Sequence, residues 1–132
     1  MLDTQMVLDK IYLDTFNSFG MHSGDMFSGY LAMTTLYKII TYPNLKLIEL
    51  SNIKFDPGDN LNLNQFTEKS NIVKLIIKMT TITDQQILQL IKMCPKLENI
   101  TIMHYTNLIP SGKLISEQIK EINPMVVINI ND

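Results

Sequence analysis

Apolar residues recur along this chain in a fixed triplet, at a first position and then three and five residues further on. Ile72, Leu75 and Ile77 carry it, and Leu97, Ile100 and Ile102 repeat it in KLENITI. The last two positions of each triplet are two apart, the spacing of one buried face of a strand. Leu8, Ile11 and Leu13, then Leu45, Ile48 and Leu50, and finally Met125, Ile128 and Ile130 have the same form. The triplets start at 8, 45, 72, 97 and 125, at intervals of 37, 27, 25 and 28 residues. Five short strands joined by connections this long must be parallel, because antiparallel neighbours need only a tight turn.

The connections carry a different period. Phe27, Tyr30, Met33, Leu36, Tyr37 and Ile40 recur at three- and four-residue steps, which predicts one face of a helix capped by Asp25 and stopped by Pro43. Ahead of it, Phe16 and Phe19 turn inward and GMHSG reads as a loop. Thr83 caps a second helix running to Met93, with Ile87, Leu90, Ile91 and Cys94 inward. Ser111-Gly112 opens a third, whose apolar face is Leu114, Ile115, Ile119 and Ile122 and whose stop is Pro124. DPGDN has the residue chemistry of a turn. The asparagine-rich LNLNQFTEKS after it suits an irregular segment in which Leu61, Leu63 and Phe66 cover the core.

A period of 25 to 28 residues lies within the 20 to 29 of a leucine-rich repeat. Against LxxLxLxxNxL, Leu45, Ile48, Leu50 and Phe55 fill every apolar slot, but Ile53 stands where asparagine or cysteine hydrogen-bonds the turning backbone. That turn must find another partner. In the next copy Thr80 takes the slot and Ile82 the last apolar position; in the copy after, Tyr105 takes it and Leu108 lies one place late, which predicts a one-residue bulge. ITDQQILQLIKMCPKLENITI resembles the cysteine-containing subclass of these repeats, found in F-box proteins that choose substrates for ubiquitin ligases. Thr83-Asp84 matches its helix start, Leu88 or Leu90 its helix leucine, Cys94-Pro95 its stop, and Leu97, Ile100 and Ile102 its strand. Tyr42-Pro43 and Leu45 are similar, with tyrosine replacing cysteine. The expected fold is an α/β leucine-rich-repeat solenoid, about five parallel strands on its concave face and helices or irregular segments on the convex one. It forms one domain over residues 1–132, alone or within a longer protein. The resemblance implies a substrate-recognition role in a ubiquitin ligase, although no F-box-like helical segment precedes the repeats.

Composition narrows the function classes. With 132 residues, 45% hydrophobic and only 18% charged, the chain can bury a core and leaves part of its surface apolar. A net charge of −2 and a pI near 5.6 create no field to gather phosphate backbones, so a nucleic-acid partner is not expected. Acidic residues in MLDTQMVLDKIYLD, the absence of an 18-residue apolar run and a lone cysteine suit an intracellular, cytoplasmic protein without a membrane partner.

No catalytic, cofactor or metal constellation emerges, so the chain reads as non-enzymatic. His22 and His104 lack a ligand at metal spacing, and Cys94 and His104 fall on a helix end and a strand exit, facing different ways. Cys94 reads as a small buried hydrophobe. GxGxxG, P-loop and GxSxG motifs are absent. Function is then expected on the concave sheet, where residues between the inward ones point. These are Lys10 and Tyr12, Leu47 and Glu49, Lys74 and Ile76, Asn99 and Thr101, and Val127 and Asn129, with Lys78, Met79, Met103 and His104 just beyond. A protein or peptide is the expected partner, since Leu47, Ile76 and Val127 exposed together call for cover. Five strands of about five residues offer roughly 400 Å², half of the ~800 Å² that a standard interface takes from each side. A peptide, flanking loops or self-association must supply the rest. Uncapped Met125 to Asp132 suits self-association through the C-terminal strand edge, or a longer chain. The rival architecture is a doubly wound α/β domain with an unrecognised enzymatic site, whose strands would be reordered and covered on both faces.

Overall fold

A strand with one apolar face persists only if something covers that face, and in this chain amphipathic helices supply the cover. A computed structural model describes residues 10–14, 30–103 and 112–131. In chain order its elements are strand β1 (Lys10–Asp14), helix α1 (Met33–Ile40), strands β2 (Leu47–Ser51) and β3 (Lys74–Lys78), helix α2 (Asp84–Met93), strand β4 (Asn99–Met103), helix α3 (Gly112–Ile122) and strand β5 (Val127–Asn131). The fold is mixed α/β, a parallel sheet with three helices. Four strands, β2 to β5, form the body of the sheet, and β1 is described through its backbone, which joins the ladder beside β2. The expected Asp25 cap, the Phe16 and Phe19 turn, and the bulge near Tyr105 and Leu108 lie outside the described residues.

Register explains the core. Ile48, Leu75, Ile100 and Ile128 stand side by side across the strands, and Leu50, Ile77, Ile102 and Ile130 form a second row. In β2, β3 and β4 these side chains are all but completely buried, in one cluster with Leu36 and Ile40 of α1, Ile87 and Leu90 of α2, and Ile115 and Ile119 of α3. Burying each such side chain is worth about 1.5–3 kcal/mol, so the two rows and their helices dominate the stability. At β5 the burial weakens, with Ile128 and Ile130 only half-buried. Met125, the expected first position of the last triplet, is 85% exposed, and Val126 is buried in its place. The cause is local: Asn123 accepts from the Met125 N–H through Oδ1 (3.3 Å), and its backbone carbonyl accepts from Val126 (3.3 Å), so the turn at Pro124 rotates the methionine outward.

The first helix starts later than its sequence period suggests. Tyr30 lies outside α1, 57% exposed, in an isolated parallel bridge with Lys54, and the Leu31 N–H donates to the Lys54 carbonyl at 3.0 Å. That pairing holds residues 30 and 31 extended, so the helical period of Tyr30 is not used. Ala32 at the N-cap offers no side-chain oxygen, and the Met33 N–H donates instead to Asp59 Oδ2 (2.8 Å), 26 residues away. The turn after β2, which has Ile53 at the polar slot, finds its partner in the following unit: Thr81 Oγ1 accepts from the Phe55 N–H (2.8 Å) and donates to the Phe55 carbonyl (3.2 Å).

Helix α2 starts with a reciprocal cap. Thr83 Oγ1 accepts from the Gln86 N–H (3.1 Å) and Gln86 Oε1 accepts from the Thr83 N–H (2.9 Å). The same glutamine, fully buried, donates through Nε2 to the carbonyls of Asp56 and Asp59, each at 2.8 Å. One turn further on, Gln89 Oε1 accepts from the Leu61 N–H (2.8 Å). Two buried amides thus fasten the irregular stretch between β2 and β3 to α2, and it presents Leu61, Leu63 and Phe66 to the core. Phe66 meets the Tyr37 ring edge-on at 5.1 Å, and the Tyr37 hydroxyl bonds the Glu68 backbone on both sides.

Replacing Gln86 by alanine removes three hydrogen bonds, from the Asp59 carbonyl, the Thr83 N–H and the Asp56 carbonyl, the last of which keeps the Asp59 N–H at 2.9 Å. At about 1 kcal/mol for each lost bond, stability should fall by roughly 3 kcal/mol, read as a lower urea midpoint at unchanged slope. A loss below ~1 kcal/mol would mean that the stretch from Asp56 to Leu61 is held by something else.

Candidate functional site

Alternation along a strand decides what the other face of the sheet displays. The register collects Lys10, Leu47, Lys74, Asn99 and Val127 in one row, and Tyr12, Glu49, Ile76, Thr101 and Asn129 in a second. Ser51, Lys78, Met103 and Asn131 continue into a third row at the strand ends. Lys10, Lys74, Val127 and Asn129 are exposed, whereas Leu47, Glu49, Ile76, Lys78, Asn99, Thr101 and Met103 are half-buried between their neighbours. Tyr12 is placed by its backbone alone, and His104 lies outside the described residues. By register, the strand positions expected on the concave face therefore alternate with the inward rows, and Met79 lies in the turn after β3.

Its electrostatics differ from a simple display of single charges. Lys78 Nζ lies 3.4 Å from Glu49 Oε2 across β2 and β3, and the Ser51 hydroxyl donates to the same oxygen at 3.2 Å. Glu49 is thus engaged within the face, and Lys74 remains the exposed cation of the central strands, without a carboxylate partner among the described residues. The sequence signal for the ion pair was faint. Glu49 and Lys78 are diagonal rather than direct neighbours, a relation visible only once the register is known.

At the rim, β2 and β3 end on residues in the left-handed region, Asn52 with φ 56° and Met79 with φ 53°. Their N–H groups donate to the carbonyls of Lys78 (3.1 Å) and Met103 (3.0 Å), so each turn away from the sheet is anchored to the next strand. Asparagine tolerates this conformation, but methionine is strained by its Cβ. Met79 is also 54% exposed, which leaves that strain uncompensated by burial of its side chain.

Beyond the same strand ends, Tyr30, Lys54, Phe55, Pro57, Thr81 and Thr83 line an open depression of about 510 Å³. Lys54 Nζ sits 5.9 Å from the centre of the Tyr30 ring, within cation–π range. Sequence reasoning did not find this place, because it put Tyr30 on a helix and treated the turn at Asp56 as connection only. The lining offers a cation, an aromatic ring and hydroxyls, but no nucleophile beside a base.

Cys94 is buried in the core, as read from the sequence. Burial pushes its thiol up to about 12 from 9.0, against the opposing effect of a side-chain hydrogen bond with Ser70. That thiol stays protonated at neutral pH and is a poor nucleophile or metal ligand. No group of three histidine, cysteine, aspartate or glutamate side chains suited to a metal occurs among the described residues, and none of the described helices is long and apolar enough to cross a membrane. Comparison of the chain with protein-family models, curated proteins and solved structures finds no match.

Three measurements follow from this geometry. Because the folded thiol holds its proton beyond the pH at which the unfolded one ionises, stability should fall as pH rises from about 9 to about 12, and Cys94→Ser should remove this component. Native protein at pH 8 should also resist a thiol reagent that modifies the urea-unfolded chain at once; equal rates would contradict the burial. Met79→Asn, copying Asn52, should raise stability by up to about 1 kcal/mol in urea titration, and a decrease would show that the methionine side chain contributes more than its backbone strain costs.

Proposed function

We propose that this chain is a leucine-rich-repeat solenoid that acts without catalysis, binding a protein or peptide through the open face of its sheet. The repeat reading draws support from strands that follow one another in sequence order, all parallel, with each triplet in register with the next. A doubly wound domain would reverse its strand order at a switch point, and the described strands contain no reversal.

One observation carries the binding reading. Leu47, Ile76 and Val127 share a face with Lys74, and no described helix lies over them, whereas the inward rows of β2, β3 and β4 are sealed. Apolar side chains interspersed with polar and cationic ones suit a contact surface, where hydrophobic area gives affinity and charge selects the partner. Because Glu49 is engaged by Lys78, Lys74 favours a carboxylate-bearing partner. A face of roughly 400 Å² suits an extended peptide or a single strand better than a broad globular surface.

Ile76→Asp and Lys74→Glu are the matching tests. Each should abolish binding of a partner captured by the wild-type chain while leaving the far-ultraviolet circular dichroism spectrum unchanged. Retention of that partner by both variants would sink the assignment of the face, and attention would move to the depression beside Tyr30 and Lys54.

A further inference from the structure

We propose that β5 pairs antiparallel with the β5 of a second copy of this chain, about a twofold axis passing through Asn129. This inference rests on the strand edge and is independent of what the open face binds. The Val127 N–H donates to the Glu98 carbonyl at 2.8 Å, which fixes the phase of the last ladder. In a parallel pair alternate residues direct both backbone groups to the same neighbour. Val127, Asn129 and Asn131 therefore face β4, and the N–H and C=O groups of Ile128 and Ile130 point away from it. No described residue pairs with them on that side.

Natural sheet edges are protected by charge, proline or a bulge. Val127 to Asn131, with sequence VININ, has none of these. The strand also exposes apolar surface that the inner strands do not: Ile128 and Ile130 are half-buried where Leu75, Ile77, Ile100 and Ile102 of the same rows are buried, and Val127 is 53% exposed.

Self-complementarity selects a second copy as the occupant. Ile128-Asn129-Ile130 reads the same in both directions, so an antiparallel mate sets Ile128 against Ile130 of the second copy and Ile130 against its Ile128. Each pair exchanges two backbone hydrogen bonds through the groups that point outward. Asn129, exposed on the open face, meets its own image on the axis. A carboxamide both donates and accepts, and so complements its twofold copy; a charged residue at this place would repel its mate. The pairing joins the two sheets into one and covers the half-buried isoleucines.

The test is sedimentation equilibrium of the full chain over a range of concentrations. The wild type should move from 15.2 kDa toward twice that mass as concentration rises. Asn129→Lys and Asn129→Glu each set like charges face to face on the axis and should weaken the dimer roughly tenfold or more, with unchanged circular dichroism. Mixing the two variants in equal amounts should restore it, because lysine then faces glutamate. A wild type that stays at 15.2 kDa at every concentration overturns the proposal. So does a dimer indifferent to both substitutions, or a series of species larger than the dimer, the sign of head-to-tail pairing between β5 and β1.

Discussion

The irregular stretch between β2 and β3 has no strand pairing beyond the single bridge at Lys54, and two buried amides, Gln86 and Gln89, hold it to α2. Gln86 satisfies the start of α2 by accepting from Thr83, and with the same side chain it holds the carbonyls of Asp56 and Asp59. Asp59, once fixed, supplies the carboxylate that receives the Met33 N–H at the head of α1. Three segments far apart in sequence are thereby referred to one side chain. A buried polar group that is fully bonded costs little and specifies a great deal, whereas the same group half-bonded would be among the most destabilising features of the core. Gln86 is of the first kind, since no buried side-chain nitrogen or oxygen among the described residues lacks a hydrogen-bond partner.

Much of the parallel sheet and its helices was legible in the sequence. Strands β2 to β5 fall where the last two residues of each triplet require, α2 begins after Thr83 and runs to Met93, and α3 shows Ile115 and Ile119 inward. These elements are readable because their burial is periodic, and a period survives without knowledge of the neighbours. The open face was legible for the same reason. Once the inward residues of a strand are known, those between them are assigned to the other side, and the observed rows of Leu47, Lys74 and Asn99 and of Glu49, Ile76 and Thr101 are that assignment made visible.

What was not legible depends on partners remote in sequence. Tyr30 has the helical spacing of Met33 and Tyr37, yet its bridge to Lys54 keeps it extended and exposed. No local signal marks that bridge. Asp59 belongs to a turn by composition, and only the fold turns it toward Met33. Met125 occupies an apolar slot by spacing but follows Pro124, in a turn bonded by Asn123, and at the edge strand burial offers too little to pull it back. The Glu49–Lys78 pair belongs to the same class, because a diagonal contact across strands requires the register first.

The division of labour between the two faces of the sheet shapes what substitutions on each can reveal. Stability resides in the inward rows, in the amide contacts of Gln86 and Gln89, and in turns anchored from one unit to the next through Thr81 and the carbonyls of Lys78 and Met103. None of these contacts uses the side chains of Lys74, Ile76, Thr101 or Asn129. The one ion pair on the open face among the described residues joins partly exposed partners, a setting in which such a pair contributes about 0–1 kcal/mol. Each strand can therefore change its outward chemistry without disturbing the register that holds it. A loss of binding after substitution on this face then reports on contact rather than on folding, while the loss of one methyl group from Ile77 or Ile100 would be felt throughout the core.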